Sequence, residues 1–307
     1  MPLNAARPTK ATAITLALIA SFLWASSFIY IEIGLDDLEP ITFAALRYVI
    51  GAASLLIYWL YKGDAKRTVS GTNAFLVIAL GVLLYAAVPA MQFIGLDQTE
   101  AVTFNFVFQA GIPLMLALTA GMILKESTTW WEWIGVALVV FGAWVFFPIR
   151  PIGSDGRGVF LAGLAAVIIG SSNLIQRRIL REENNTSALE VTTLSMTIGA
   201  AILGVIALLV DERPSLDLRL VFLLLVLGVL NTAVAFFIWH TAIQTLRALH
   251  IGVIASTQLI FVPVMAVWFL DEPFGVRRGL GSLIVLGGIA VVHYSIAWAK
   301  EHDKVAQ

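Results

Sequence analysis

The sequence predicts an all-α membrane protein: ten transmembrane helices built as two inverted five-helix repeats. Three observations carry this reading. The 307 residues are 59% hydrophobic and 13% charged, with a mean hydropathy of +0.90. A soluble domain carries about 25% charged residues, so lipid must be the main solvent of this chain. Apolar runs of about 20 residues, the length that crosses a bilayer as a helix, recur ten times. One stretch also occurs twice, at residues 95–142 and 242–288. Glu126 and Glu272 each end an apolar run, with Gly135 and Gly142 nine and sixteen residues after the first, and Gly281 and Gly288 nine and sixteen after the second. Ala101 and Ala248 open the two runs.

Taken in order, the expected spans are 11–34, 40–61, 72–94, 99–124 and 128–147, then 158–180, 187–210, 218–242, 249–270 and 276–299. The first has basic residues before it, but its apolar run exceeds 20 residues without a convincing cleavage site, so it reads as a retained span rather than a removed signal. Span 1 carries Ser26-Ser27 and span 6 carries Ser171-Ser172. LRYVIGA (46–52) in span 2 matches LSMTIGA (194–200) in span 7. Spans 3, 4 and 9 contain Pro89, Pro113 and Pro263, each lacking a backbone donor and disfavouring a straight helix. Spans 5 and 10 carry the glycine pairs, which suit close helix packing. Between spans 5 and 6 lies a linker with Pro148, Pro151, Gly153 and Gly156, the natural boundary between a first repeat at 1–150 and a second at 151–307. Five spans per copy is odd, so the second copy enters the membrane from the opposite side, the plan of many secondary transporters.

Charge sets the orientation. Arg150, Arg157, Arg213, Arg219, Arg277 and Arg278 fall on one side of the bilayer, and 12 other Lys and Arg residues fall on the opposite side. The richer side is cytoplasmic by the positive-inside rule, which places both termini inside.

Polar residues at mid-membrane depth mark the place where chemistry is expected, since lipid-facing polarity is costly. They are Trp24 and Ser27 in span 1, Tyr85 in span 3, Asn105 and Gln109 in span 4, Ser172 and Asn173 in span 6, Asn231 in span 8, and Thr257 and Gln258 in span 9. Asn105 and Gln109 are four apart and share a helix face. The layer recurs in both copies and is expected to line a central substrate cavity. The alternative for each residue is a hydrogen bond to a neighbouring helix. Arg47 lies well inside a span, seven residues after Pro40 and so roughly 10 Å deep. It either holds a substrate carboxylate, acts as a gate, pairs with Glu32 at the outer end of span 1, or snorkels to the headgroups. His240, His250 and His293, near cytoplasmic span ends, titrate in a range that suits proton coupling.

These motifs together resemble the EamA type of the drug/metabolite transporter superfamily. The likeness rests on Trp24 with Ser26-Ser27, Pro40 followed by FAALRYVIGA, the 101–113 run, Glu126, the Gly135/Gly142 pair, and the second copy of each. Within it the chain is most similar to bacterial exporters of amino acids, including aromatic ones. The resemblance implies a carrier in the bacterial inner membrane that moves a small-molecule substrate, an amino acid or similar metabolite, outward, and that uses no cofactor. Export of drugs or other metabolites is the alternative. Two departures stand out. Leu259 replaces the proline of the first copy, with Pro263 one turn later, and Arg47 aligns with Ser195.

Other classes fit less well. With no cysteine, thiol chemistry and Cys-based metal sites are excluded. A net charge of −1 with no basic domain gives no case for nucleic-acid binding. No span carries a His-x-x-x-His, a paired Asp or a Ser/His pair at one depth, as an embedded enzyme or metal site requires. A channel usually needs repeated pore-lining rings.

The orientation is testable with single cysteines in this cysteine-free chain. Cysteines beside Lys66 and Arg181 should be blocked only by reagents that reach the cytoplasm. Cysteines beside Asp37, Asp155 and Asp211 should label from outside. Labelling of both sets from one side would overturn the inverted plan.

Overall fold

The structure, a computed structural model, describes residues 8–62, 72–123, 130–146, 156–182, 188–211, 214, 216–243, 245–246 and 254–303. Every regular element among them is helical. The first half supplies α1 (Lys10–Leu35), α2 (Pro40–Tyr61), α3 (72–96), α4 (Ala101–Ile123) and α5 (Trp130–Phe146). The second supplies α6 (Gly156–Glu182), α7 (Ala188–Val210), α8 (218–243), α9 (Gln258–Phe269) and α10 (Val276–Asp303). The local signals agree with these bounds. Thr9 accepts a hydrogen bond from the Thr12 amide at the start of α1. Pro40 occupies the first turn of α2, where its missing N–H costs nothing. Asp217 caps α8 by accepting from the Leu220 amide at 2.8 Å.

Among the described residues, five helical stretches are long and apolar enough to cross a membrane: Lys10–Leu35, Pro40–Tyr61, Ala74–Leu96, Leu189–Val210 and Leu218–Trp239. Ala101–Ile112, Trp133–Phe146, Gly156–Ser172 and Gln258–Phe269 are shorter apolar stretches. The outer surface is correspondingly oily. Ile57, Phe75, Trp144, Phe160 and Trp268 are all more than half exposed. The interior instead packs Phe28, Phe43, Tyr85, Phe93 and Phe104 with Leu203 and Leu227 from the second half. An apolar exterior around a helical bundle is the arrangement of a multi-pass membrane protein.

Helix packing repeats between the halves. α5 lies along α10, α2 along α7, and α4 meets α9. α1 packs on α8 as α6 packs on α3; α4 packs on α6 as α9 packs on α1; α2 packs on α8 as α7 packs on α3. Advancing the helix numbers by five therefore maps each of these pairs onto itself or onto another of them. The match extends to single residues. A Cβ on Gly228 would lie 3.0 Å from the Arg47 carbonyl, and one on Gly81 would lie 2.9 Å from the carbonyl of its counterpart, Ser195. A Cβ on Gly51 would meet Thr232 at 2.7 Å, and one on the matching Gly199 would meet Tyr85 at 2.5 Å. Helices 2, 3, 7 and 8 approach so closely because those side chains are absent.

The expected glycine packing of the fifth and tenth helices is present. A Cβ on Gly281 would lie 2.8 Å from the Gly142 carbonyl, and one on Gly288 would lie 2.7 Å from the Gly135 carbonyl. Two features differ from the simple spans. α3 and α8 each contain π-helical turns, at Leu83–Ala87 and Val226–Val234. There the Val88 amide donates to Leu83 and the Ala235 amide to Leu230, five residues back. The ninth span was expected as one helix over 249–270. Its described part instead turns at Ser256 and Thr257 before α9 begins at Gln258, and residues 247–253 lie outside the described residues.

Gly281→Val should push α5 and α10 apart and lower stability by about 1–3 kcal/mol, read as a lower Tm in detergent. Gly204→Ala and Gly287→Ala, where a Cβ meets nothing within 4 Å, should leave Tm unchanged. An unchanged Tm for Gly281→Val would remove the close-approach argument.

Candidate functional site

The expected polar residues fall into two groups on either side of α1. The first joins α1 to α8 and α3. Asn231, 1% exposed, donates through Nδ2 to the Ser26 hydroxyl at 2.8 Å and to the Leu23 carbonyl. Ser27 donates to the Trp24 carbonyl at 2.6 Å. Trp24 packs edge-on against Phe236 at 5.2 Å and lies 5.1 Å from Trp239. Tyr85 reaches the same Phe236 at 5.7 Å. Trp24 and Tyr85 are therefore linked through a phenylalanine that polarity alone does not single out. Tyr85 and Asn231 both sit in the π-helical turns. Such wide turns are frequent at functional sites.

The second group joins α1 and α4 to the start of α9. Asn105, fully buried, donates to the Gln258 carbonyl at 3.2 Å. Ser21 bonds the Thr257 hydroxyl at 2.9 Å and the Ile254 carbonyl at 3.1 Å. These side chains bond carbonyls on either side of the turn at Ser256–Thr257, that of Ile254 before it and that of Gln258 at the start of α9. Gln109 and Gln258 are buried at 7% and 6% exposure. The Asn173 side chain lies outside the described residues, as do the side chains of His240, His250 and His293.

Arg47 does not pair with Glu32. It is 3% exposed, and no described carboxylate lies within ion-pair distance of it. Its Nε donates instead to the Thr232 hydroxyl at 3.0 Å. The guanidinium lies 5.6 Å from the Tyr48 ring and 5.9 Å from the Phe93 ring, close enough for cation–π attraction. Tyr48 and Tyr85 are 6.4 Å apart, which connects Arg47 to the aromatic group above. Glu32 faces a different neighbourhood, the carboxylates of Glu272, Asp36, Asp97 and Glu100. The expected pair followed from the place of Glu32 at the outer end of span 1, but the helices turn the two side chains toward different partners.

At the start of α4, Glu272 reaches across the halves. Its carboxylate accepts from the Ala101 amide at 2.7 Å and the Val102 amide at 3.1 Å. It thus caps the N-terminus of α4, where a helix leaves donors unpaired and favours negative charge. Asp271, at φ 53°, makes the left-handed turn that delivers Glu272 from the end of α9. Arg278 completes the cluster with a 2.7 Å ion pair to Glu100. Burial pushes the Glu272 carboxyl above its ordinary range, opposed by the two amides. A carboxyl raised in this way loses favour as pH climbs through its folded value, so its structural worth lies in the amides it satisfies. In the same way Asp211, from the end of α7, accepts from the Thr42 amide at 2.9 Å and the Thr42 hydroxyl at 2.7 Å.

The duplicated architecture agrees with a family model, that of the EamA-like transporter family, which matches residues 11–147 and again 156–294. The chain belongs to this family. It is 23% identical over 286 residues to the uncharacterized transporter YoaV of Bacillus subtilis, covering 88% of this chain and 92% of the relative. An Escherichia coli protein described as a probable amino-acid metabolite efflux pump is 22% identical over 299 residues, covering 93% of this chain and 96% of its own. A crystal structure with a TM-score of 0.67 and 17% identity covers 92% of this chain and 96% of its own, a likeness of fold.

Glu272→Ala strips both α4 amides of their acceptor, and should cost about 1–3 kcal/mol of stability. Glu272→Gln keeps one carbonyl oxygen and should retain part of it. Thermal unfolding in one detergent at constant pH checks this; equal Tm for wild type and Glu272→Ala would show that the cap contributes nothing.

Proposed function

We propose that this EamA-family transporter is a secondary carrier that exports small metabolites, amino acids foremost, across the bacterial inner membrane by alternating access. In this reading residues 1–150 and 151–307 are the two halves, inverted relative to each other, with both termini in the cytoplasm. The observation that supports it best is the recurrence of the main helix pairs between the halves, with π-helical turns at matched places in α3 and α8. Two equivalent halves meeting at irregular backbone are what a rocking carrier needs: each closes one side while the other opens. The likeness to the Escherichia coli efflux pump supports amino-acid metabolites as the substrate class.

The proposed site draws on Trp24, Ser27, Tyr85, Asn105, Gln109, Asn173, Asn231, Thr257 and Gln258. Asn105, Asn231 and Thr257 already hold neighbouring helices, so their part is to fix the backbone that frames the site. Trp24 and Tyr85, joined through Phe236, supply aromatic wall. Pro113 has no N–H for the Gln109 carbonyl, which leaves an acceptor beside the Gln109 side chain. A mostly apolar pocket with few polar anchors accepts several side chains, since each methylene discriminates by only about 1–3 kcal/mol. The cytoplasmic-end histidines are the candidates for proton coupling.

Initial rates in proteoliposomes test the centre. Gln109→Leu and Gln258→Leu should lower transport of all amino acids together, while Trp24 and Tyr85 variants should change the order of preference. Counterflow of labelled substrate is expected, which an open pore does not give. Wild-type rates in both Leu variants would place the site elsewhere.

A further inference from the structure

Arg47 poses a problem that nothing described above resolves. A guanidinium is always charged and carries five donors. Here it is 3% exposed inside a membrane helix. One donor, Nε, is satisfied by Thr232. Nη1 is buried with no hydrogen-bond partner. No described carboxylate lies within ion-pair distance. A buried charge left without a counter-ion costs several kcal/mol, and proteins rarely retain one unless something pairs with it.

Its position says when it could be paired. Arg47 belongs to α2 of the first half, and Thr232 to α8 of the second. The two helices are pressed together through Gly51 and Gly228: a Cβ on Gly51 would meet Thr232, and one on Gly228 would meet the Arg47 carbonyl. The covered guanidinium thus lies on the seam between the halves. Parting that seam uncovers it. The surroundings are aromatic: Tyr48 and Phe93 flank the charge, and Tyr85, Phe236 and Trp24 continue the same run of rings. The second half offers no equivalent, because Ser195 occupies the matching position.

We propose that Arg47 is the substrate's anion anchor: it binds the carboxylate of an organic acid whose apolar or aromatic body lies along the Tyr48–Tyr85–Phe236–Trp24 rings. This rests on the reading of the chain as a carrier and names the group that its substrates share. An amino acid and its desamino analogue both carry that group. A carboxylate meets guanidinium with charge-assisted, planar hydrogen bonds that a neutral amide cannot reproduce. It would give Nη1 the acceptor it lacks and restore neutrality when the seam opens.

The test uses the full chain in detergent and in proteoliposomes with four probes: phenylalanine, 3-phenylpropionate, and the primary amide of each. Both carboxylates should bind and be transported, and each amide should be weaker by about 10- to 100-fold, the worth of hydrogen bonds to a charged group. In Arg47→Gln the carboxylates should fall to the level of the amides while amide binding stays within about three-fold. Arg47→Lys keeps the charge and should keep a reduced carboxylate preference, which guards against misfolding of the Gln variant. If only phenylalanine binds, an ammonium partner is also part of the site, and the carboxylate requirement is upheld provided its amide fails. Equal binding of acids and amides by wild type, or an unchanged acid-to-amide ratio in Arg47→Gln, overturns the anchor while leaving the carrier reading intact. Failure of a broad amino-acid and metabolite panel to move in either direction overturns both.

Discussion

Hydrocarbon offers no hydrogen bonds, and the remainder of this structure follows from that. Each helix end or interruption within reach of lipid must find its partners inside the protein. The ends of α2 and α4 are served by Asp211 and Glu272, side chains of the other half. Carbonyls on either side of the turn before α9 are met by Ser21 and Asn105, both of the first half. Backbone satisfaction in one half is therefore supplied by the other, and the halves cannot be fully separated without leaving donors and acceptors bare.

Close approach imposes the complementary constraint. Where α2 meets α8 and α7 meets α3, glycine brings backbone to within side-chain distance of Arg47, Ser195, Thr232 and Tyr85. Contacts of this kind either fit or clash, because glycine has no side chain to adjust. Packing between α5 and α10 uses the same device through Gly142 and Gly281. Surfaces this tight suit rigid bodies that part along a seam better than ones that deform smoothly.

Much of the fold was legible because the bilayer leaves its mark as a count of apolar residues. α2 begins and ends where its apolar run does, and the LRYVIGA and LSMTIGA matches pointed to the paired roles of α2 and α7. The π-helical turns were not legible: LLYAA at 83–87 is ordinary helical composition, and the contact that Tyr85 makes there with Gly199 is far away along the chain. Nor was the cap on α4. The sequence marked Glu272 through its repeat, but its partner lies 171 residues away, and distance along the chain hides such a contact. The spacing of Asn105 and Gln109 put them on one face without telling that the Asn105 amide is spent on Gln258. The outer end of span 1 suggested Glu32 for Arg47, whereas the way α2 faces α8 brings it to Thr232.

The copies are alike in packing but unlike in charge, since arginine at 47 answers to serine at 195. In a membrane held at a voltage, a charge carried by one half and unmatched in the other couples motion to the field. A full crossing is worth about 2.3 kcal/mol per unit charge at 100 mV, and a partial displacement proportionally less. For halves that rock, inward and outward strokes would then differ in electrical work. An anion seated on the arginine would cancel most of that difference, so the loaded carrier would feel the membrane voltage less than the empty one.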